Sequence, residues 1–161
     1  MIAEASVWAA IGTWALLGLH ASFTDLRSAT ISRRACWTAG SAIAALLLAA
    51  AMSRAGLLRW AWTLGGAGAV ALLLEIVYRT QPDKIGYGDV RLIVVNSLLL
   101  AWWGPGWPWW ALLAGSVVAV PAAVRSSQRD GREGRVRWAP GLAAGTALII
   151  AWLAWTAGPL G

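Results

Sequence analysis

The chain has 161 residues, of which 59% are hydrophobic and only 12% are charged. Because about a quarter of the residues in a soluble domain are charged, this composition excludes an ordinary soluble domain and indicates a membrane protein. A net charge of +6 would suggest nucleic acid as a partner of a soluble chain, but here membrane topology explains it. The one cysteine, Cys36, excludes an intramolecular disulfide and a CxxC metal site.

Three apolar segments in the first half of the chain are long enough to cross a bilayer, which takes about twenty residues. The first, 5–24, carries no formal charge. It follows an acidic Glu4, which is not typical of a signal peptide, so it predicts a first transmembrane helix. The second lies in 35–53 and the third in 60–78. The third contains glycines that would allow close helix contact: Gly65, Gly66 and Gly68.

The second half of the chain predicts three more transmembrane helices. Residues 92–124 contain no Asp, Glu, Lys or Arg, but this segment is too long for one helix. Proline, glycine and tryptophan at 103–108 divide it, because proline and glycine end helices and tryptophan favours the membrane interface. A sixth helix is predicted over 138–157. We therefore expect an all-α membrane protein, one domain over 1–161 with six transmembrane helices.

The basic residues predict how this bundle is oriented. Eleven of the thirteen Lys and Arg residues fall in 24–37, 79–91 and 125–137, and the other two are Arg54 and Arg59. Since basic loops stay in the cytoplasm, the first three segments are predicted to be cytoplasmic and both termini to lie outside. The charge is then a property of the loops, and no nucleic-acid partner is expected.

Two carboxylates, Asp25 and Asp89, lie where apolar segments end or begin on the predicted cytoplasmic side. Charged groups inside a bilayer are costly, so such residues are functional candidates. Fourteen residues separate Asp89 from Trp103, about 21 Å of helix. If Trp103 marks the outer boundary, Asp89 lies several ångströms below the inner surface, and Asp25 lies nearer the rim. We expect both to line a cavity that opens to the cytoplasm.

Two neighbouring carboxylates cannot both ionise easily, so one keeps its proton. This is the arrangement of an aspartic protease, in which the ionised acid activates water and the neutral acid polarises the peptide carbonyl. Gly86 and Gly88 precede Asp89. Because glycine lacks a Cβ, we expect the backbone there to leave helical geometry and to admit a substrate peptide.

These residues carry a family resemblance. Residues 86–92, Gly-Tyr-Gly-Asp-Val-Arg-Leu, resemble the GxGD motif of the prepilin peptidases, membrane aspartic proteases that process type IV prepilins and pseudopilins. Residues 25–27, Asp-Leu-Arg, followed by Ile31, are similar to the first aspartate motif of the family, and 140–145 resemble a third, weaker segment. The resemblance implies two catalytic residues, Asp25 and Asp89. It also implies residues that support the motifs: Gly86, Gly88, Arg27, Arg91 and Pro140.

The resemblance also implies a partner and a location. The substrate would be a prepilin or pseudopilin with a basic leader and a hydrophobic helix, cleaved at the cytoplasmic face of the bacterial inner membrane, within the lipid bilayer and without metal or other cofactor. The chain lacks the cytoplasmic CxxC insertion of many members, so it resembles the short peptidase core. It departs from the family pattern at Ser32 and Arg33, where Pro-Asn is usual, and at Ala139, where Gly is usual.

Structural interpretations of the same residues remain open. Asp25 could be a helix-end carboxylate paired with a nearby arginine, and Asp89 could be an N-cap. Glu75 lies four residues before Arg79, the spacing of a helical ion pair. His20 is expected to be a hydrogen-bonded interior histidine. The glycine pair Gly141-x-x-x-Gly145 is expected to serve helix packing.

Two other functions are compatible with intramembrane acids. A small proton-coupled transporter would use them as a proton relay. An inactive scaffold of a pilus or secretion system would retain them without catalysis.

Overall fold

Six α-helices contain most of the residues that the computed structural model describes, which are 1–28, 30–81, 86–130 and 138–160. The helices are α1 (Ile2–Ser28), α2 (Arg33–Ala50), α3 (Leu57–Thr80), α4 (Tyr87–Leu100), α5 (Trp107–Asp130) and α6 (Ala139–Thr156). A π-helical turn, Ala51–Ala55, extends α2 and ends at Gly56, whose φ of 83° suits glycine. Within these described ranges the fold is all-helical, as the sequence predicts.

Four helical segments are long and apolar enough to cross a membrane: Ile2–Ser28, Arg33–Ser53, Leu57–Thr80 and Ala139–Thr156. The protein is therefore a multi-pass membrane protein. α4 has only 14 residues, about 21 Å of helix, and the apolar part of α5 is Trp107–Pro121. Both are shorter than a hydrocarbon core of about 30 Å, so the count of six spans stays a prediction.

Two of the predicted loops are partly helical. α5 continues past Pro121 to Asp130, so the predicted loop 125–137 begins as helix, and 131–137 lie outside the described residues. α3 extends to Thr80, and the rest of the loop before Gly86, residues 82–85, is likewise outside them. The predicted break at 103–108 is confirmed, since α4 ends at Leu100 and α5 begins at Trp107.

α5 and α6 make the closest helix contact in the bundle. A Cβ added to Gly141 would lie 2.7 Å from the Cβ of Ala119, and one added to Gly145 would overlap the backbone of Gly115. Real side chains do not approach so closely, so these positions require glycine. The predicted packing role of Gly141 and Gly145 is confirmed.

The glycines of α3 fit their prediction only in part. A Cβ on Gly66 would lie 3.0 Å from Ala101 and 3.1 Å from Pro105, whereas Gly65 and Gly68 have nothing within 4 Å. Only Gly66 therefore faces the bundle.

One end of the bundle is closed by tryptophans. The indole N–H groups of Trp102 and Trp103 donate to the carbonyl oxygens of Pro159 and Gly158, at 3.1 and 2.9 Å. The guanidinium of Arg59, early in α3, lies 5.3 Å from the centre of the Trp102 ring. The start of α3, the end of α4 and the residues after α6 therefore meet there, and the opposite end holds Asp25 and Asp89.

Candidate active site

The two aspartate-bearing helices, α1 and α4, are joined by a buried hydrogen bond. The indole N–H of Trp14 on α1 donates to the side-chain oxygen of Asn96 on α4 at 2.8 Å. Asp25 lies eleven residues after Trp14 and Asp89 lies seven before Asn96. At 3.6 residues per turn these spacings are about three and two turns. Trp14 therefore shares the face of Asp25, and Asn96 shares the face of Asp89.

Helical geometry also relates the depths of the two acids. The rise from Trp14 to Asp25 is about 16 Å, and that between Asn96 and Asp89 about 10 Å, at 1.5 Å per residue. The two helices run in opposite directions, so Asp25 lies nearer the end of the bundle. Because Cα–Cβ bonds tilt toward the start of each helix, the Asp25 side chain leans inward and the Asp89 side chain outward, which reduces the offset between them.

Asp25 is buried at the end of α1, with 6% of its surface exposed. Its Oδ2 accepts a hydrogen bond from the backbone N–H of Ala139 at 3.3 Å. Ala139 is the first residue of α6, where N–H groups have no partner within the helix, and the N-cap residue Trp138 offers no side-chain acceptor. Pro140 follows without an N–H, which costs nothing in a first turn. α1 thus supplies the acceptor that α6 lacks.

Asp89 lies in the first turn of α4 and is half-buried. The N-cap residue is Gly86, with φ −70° and ψ 132°, so the alternative that Asp89 is the N-cap is wrong. As the third residue of the helix, Asp89 places a carboxylate near the positive end of the helix dipole, where negative charge is stabilised.

Gly88 has a different role from the one its motif predicts. It lies inside α4, and Gly86 has a backbone conformation open to any residue, so neither glycine takes the chain into a region that only glycine favours. A Cβ on Gly88 would lie 3.0 Å from the Cβ of Ile31. The missing side chain therefore lets the start of α4 pack against the segment after α1, and so brings the two aspartate motifs to the same place.

Two of the three departures from the family pattern have a local explanation, and nothing in the structure explains Arg33. Ser32 is the N-cap of α2, and its Oγ accepts from the backbone N–H of Ala35 at 3.3 Å. Ala139 is fully buried and contacts Asp25 through its backbone N–H, a group that glycine would supply equally.

The arginines of the two motifs stack on aromatic rings. The Arg27 guanidinium lies 4.0 Å from the centre of the Phe23 ring, one turn back on α1. The Arg91 guanidinium lies 4.3 Å from the ring of Tyr87, one turn back on α4. Cation–π contacts of this kind hold the arginine stems along their own helices.

Glu75 forms the predicted ion pair, with its Oε1 2.8 Å from the Nε of Arg79. It also links α3 to α4, because the Tyr87 hydroxyl donates to its Oε2 at 3.4 Å and the Tyr87 and Tyr78 rings pack 4.7 Å apart. The prediction for His20 is wrong, because His20 is exposed on α1 rather than inside the bundle.

The sequence pattern of the type IV leader peptidase family matches residues 10–124. The chain belongs to the type IV leader peptidase family. The match includes both aspartates and the GxGD motif and ends before Pro140. No curated protein and no solved structure matches the chain.

The match to the leader peptidase family confirms the resemblance seen in the sequence, and it supports a prepilin-type substrate in general. The sequence interpretation did not identify Trp14 and Asn96. Asn96 was detectable, because it is the only asparagine of the chain and interrupts an uncharged apolar segment two turns from Asp89. Across the described ranges, no three His, Cys, Asp or Glu side chains are grouped to hold a metal ion.

Proposed function

We propose that this leader peptidase family member is an aspartic endopeptidase in which Asp25 and Asp89 form the catalytic dyad. The observation that carries the proposal is the Trp14–Asn96 hydrogen bond, because it joins the faces of α1 and α4 on which the two acids lie. The contact of Gly88 with Ile31 supports the same conclusion, because it brings the start of α4 against the segment that follows α1.

In this mechanism the two carboxylates share one proton. The ionised carboxylate takes a proton from water, which attacks the scissile carbonyl while the protonated carboxylate donates a hydrogen bond to the carbonyl oxygen. Collapse of the tetrahedral intermediate breaks the C–N bond, and the leaving amine receives a proton from the dyad. The buried position of Asp25 keeps bulk water from competing for these hydrogen bonds.

The proposed substrate is a prepilin or pseudopilin of a type IV pilus or a secretion system. Its basic leader would remain on the cytoplasmic side of the bacterial inner membrane, for the reason that the arginine loops do. Its hydrophobic helix would lie against the bundle, and its unwound start would reach the aspartates. The motif-supporting residues Gly86, Gly88, Arg27, Arg91 and Pro140 would hold the helix ends around them.

Exchange of each acid for its amide tests the dyad. Asparagine nearly keeps the shape of aspartate but cannot exchange a proton, so Asp25→Asn and Asp89→Asn should each reduce processing by at least about a hundredfold. The assay is co-expression with a candidate prepilin, read by the mobility shift of the cleaved product. Thr24→Ala, next to Asp25, is the control, because among the described residues the Thr24 hydroxyl bonds to carbonyls of its own helix. Full processing by Asp89→Asn would refute the dyad, whereas absence of processing by the natural chain would refute the protease and favour the proton-coupled transporter. Unchanged processing by both variants would mean that the acids take no part in catalysis.

The cytoplasmic location of the site is tested by labelling of introduced cysteines in intact cells. With the termini outside, Ser127→Cys should react with a membrane-impermeant maleimide only after permeabilisation. Met52→Cys, at an exposed position within the π-helical turn, should react without it. The reverse pattern would place the aspartates on the outer side.

A further inference from the structure

α4 has a second face, away from the one that carries Asp89. Tyr87 and Arg91 each lie two residues from Asp89, about 200° around the helix at 100° per residue. A cavity of about 380 Å³ lies on this face, where α2 and α3 scarcely touch each other. Neither Asp25 nor Asp89 lines it, so it is separate from the candidate active site.

The cavity is apolar along most of its length and polar at one end. Its walls are mainly aliphatic and small side chains, with Ala44 on α2, Ala71 on α3 and Leu98 on α4. The end of the cavity that lies at the depth of Asp89 is lined by Glu75, Tyr87 and Arg91. From Arg91 to Leu98 the helix rises about 10 Å. The shape is that of a slot with a charged mouth and an apolar interior.

The charge at the mouth is positive. Glu75 is neutralised by Arg79 at 2.8 Å, whereas the Arg91 guanidinium lies over the Tyr87 ring and, among the described residues, has no carboxylate within salt-bridge distance. Stacking occupies the face of the guanidinium and leaves its N–H edge available to an anion. The mouth therefore suits a singly charged anionic group.

The length of α4 adds an independent reason for an anion there. At about 21 Å this helix is shorter than the hydrocarbon core, so its ends lie below the membrane surface unless the bilayer thins. A guanidinium at such depth is costly unless a phosphate or water reaches it. A phospholipid drawn into the slot would bring its phosphate to Arg91 and its acyl chain to the apolar wall.

We infer that this slot binds one anionic glycerophospholipid, with its phosphate on Arg91 and an acyl chain between α2 and α3. The volume falls in the range of small-ligand sites, about 300–1,000 Å³. A helix about 11 Å across would need about 1,000 Å³ over the same length, so the slot fits an acyl chain better than a helix. The site needs no aspartate, so it can exist whether or not the proposed catalysis is correct.

The test is lipid binding to the purified full-length chain by native mass spectrometry, with phosphatidylglycerol and phosphatidylcholine of identical acyl chains. We expect phosphatidylglycerol to bind at least tenfold more tightly. Arg91→Gln should remove most of that preference, because the charge-assisted contact to phosphate is lost. Equal binding of the two lipids, or an unchanged preference in Arg91→Gln, would overturn the proposal.

Variants that fill the slot test the acyl-chain part. Ala44→Leu and Ala71→Leu enter it from opposite walls, and each should weaken phosphatidylglycerol binding about tenfold. Two variants are used so that failure of one to fold still leaves a test. Ala42→Leu is the matched control, because Ala42 lines the other groove of α2, toward α1, and it should bind lipid as the natural chain does. If the filled variants bind normally, or if a hydrophobic helical peptide displaces the lipid from the natural chain, the slot is not a lipid site.

Discussion

α6 and α4 are held in the bundle in different ways. α6 meets α5 backbone to backbone, at glycines where an added Cβ would overlap the neighbouring chain. α4 packs through its side chains. Most of them are buried, and two hydrogen bonds, from Trp14 of α1 to Asn96 and from Tyr87 to Glu75 of α3, join it to its neighbours. The α5–α6 contact is therefore set by backbone shape, whereas the placement of α4 depends on its side chains. In the proposed mechanism it is this helix that carries Asp89.

The backbone contact should be the less tolerant of the two. Gly145→Ala adds a Cβ that overlaps Gly115 of α5, and overpacking at such a site should destabilise the protein by about 3 kcal/mol or more. Thermal unfolding of the purified protein measures it. Gly68→Ala is the matched control, because Gly68 has nothing within 4 Å, and alanine there should be neutral or slightly stabilising. Equal melting temperatures for the two variants would mean that α5 and α6 are not rigidly joined.

The Trp14–Asn96 bond should have a smaller effect that is specific to the site. Asn96→Leu leaves the indole N–H without its partner, at a cost of about 1–3 kcal/mol, and should also slow processing because α1 and α4 lose their register. A double-mutant cycle with Trp14→Phe should give a coupling energy of about 0.6–2 kcal/mol. Ser97→Ala is the control, since its hydroxyl bonds to Ile93 within α4. A coupling energy of zero would contradict the role of this bond.

Glu75→Gln should have the smallest effect. Its ion pair with Arg79 is partly exposed, so its loss should cost no more than about 1 kcal/mol, and a glutamine oxygen can still accept from Tyr87. Processing should stay within about threefold of the natural chain in the prepilin assay. A loss as large as that of Asp89→Asn would show that Glu75 belongs to the catalytic site and that the α3–α4 link is more than structural.

Much of this fold follows from hydrophobicity and charge. The helices, the break at 103–108, the Glu75–Arg79 ion pair and the packing of Gly141 and Gly145 were all predictable, because each depends on local pattern or on a spacing of three or four residues. Helix ends were less predictable. α5 continues through Pro121 into a charged segment, since charged residues such as arginine have good helix propensity and do not by themselves end a helix.

For the candidate site, the sequence proposes a pair of residues but not their geometry. The aspartate motifs single out Asp25 and Asp89, but one partner of Asp25 is a backbone N–H 114 positions away, which no local pattern encodes. The expectation that the backbone leaves helical geometry at Gly88 was wrong, and its neighbour Ile31 becomes visible only when the helices are assembled. His20 was misplaced because α1 is apolar on all sides, and its sequence does not show which face meets the bundle.

Cys36 gives the molecule a built-in reporter of local opening. It is the only thiol of the chain, and it is 2% exposed near the start of α2, beside the start of α4. Cys36 also lines the slot between α2 and α3, so an alkylating reagent reaches it through the slot or when this part of α2 separates from its neighbours. Its alkylation rate therefore reports how often this wall of α2 becomes accessible. Because the natural chain has no other cysteine that would have to be replaced, the alkylation rate of Cys36 can be compared directly with and without a bound prepilin peptide.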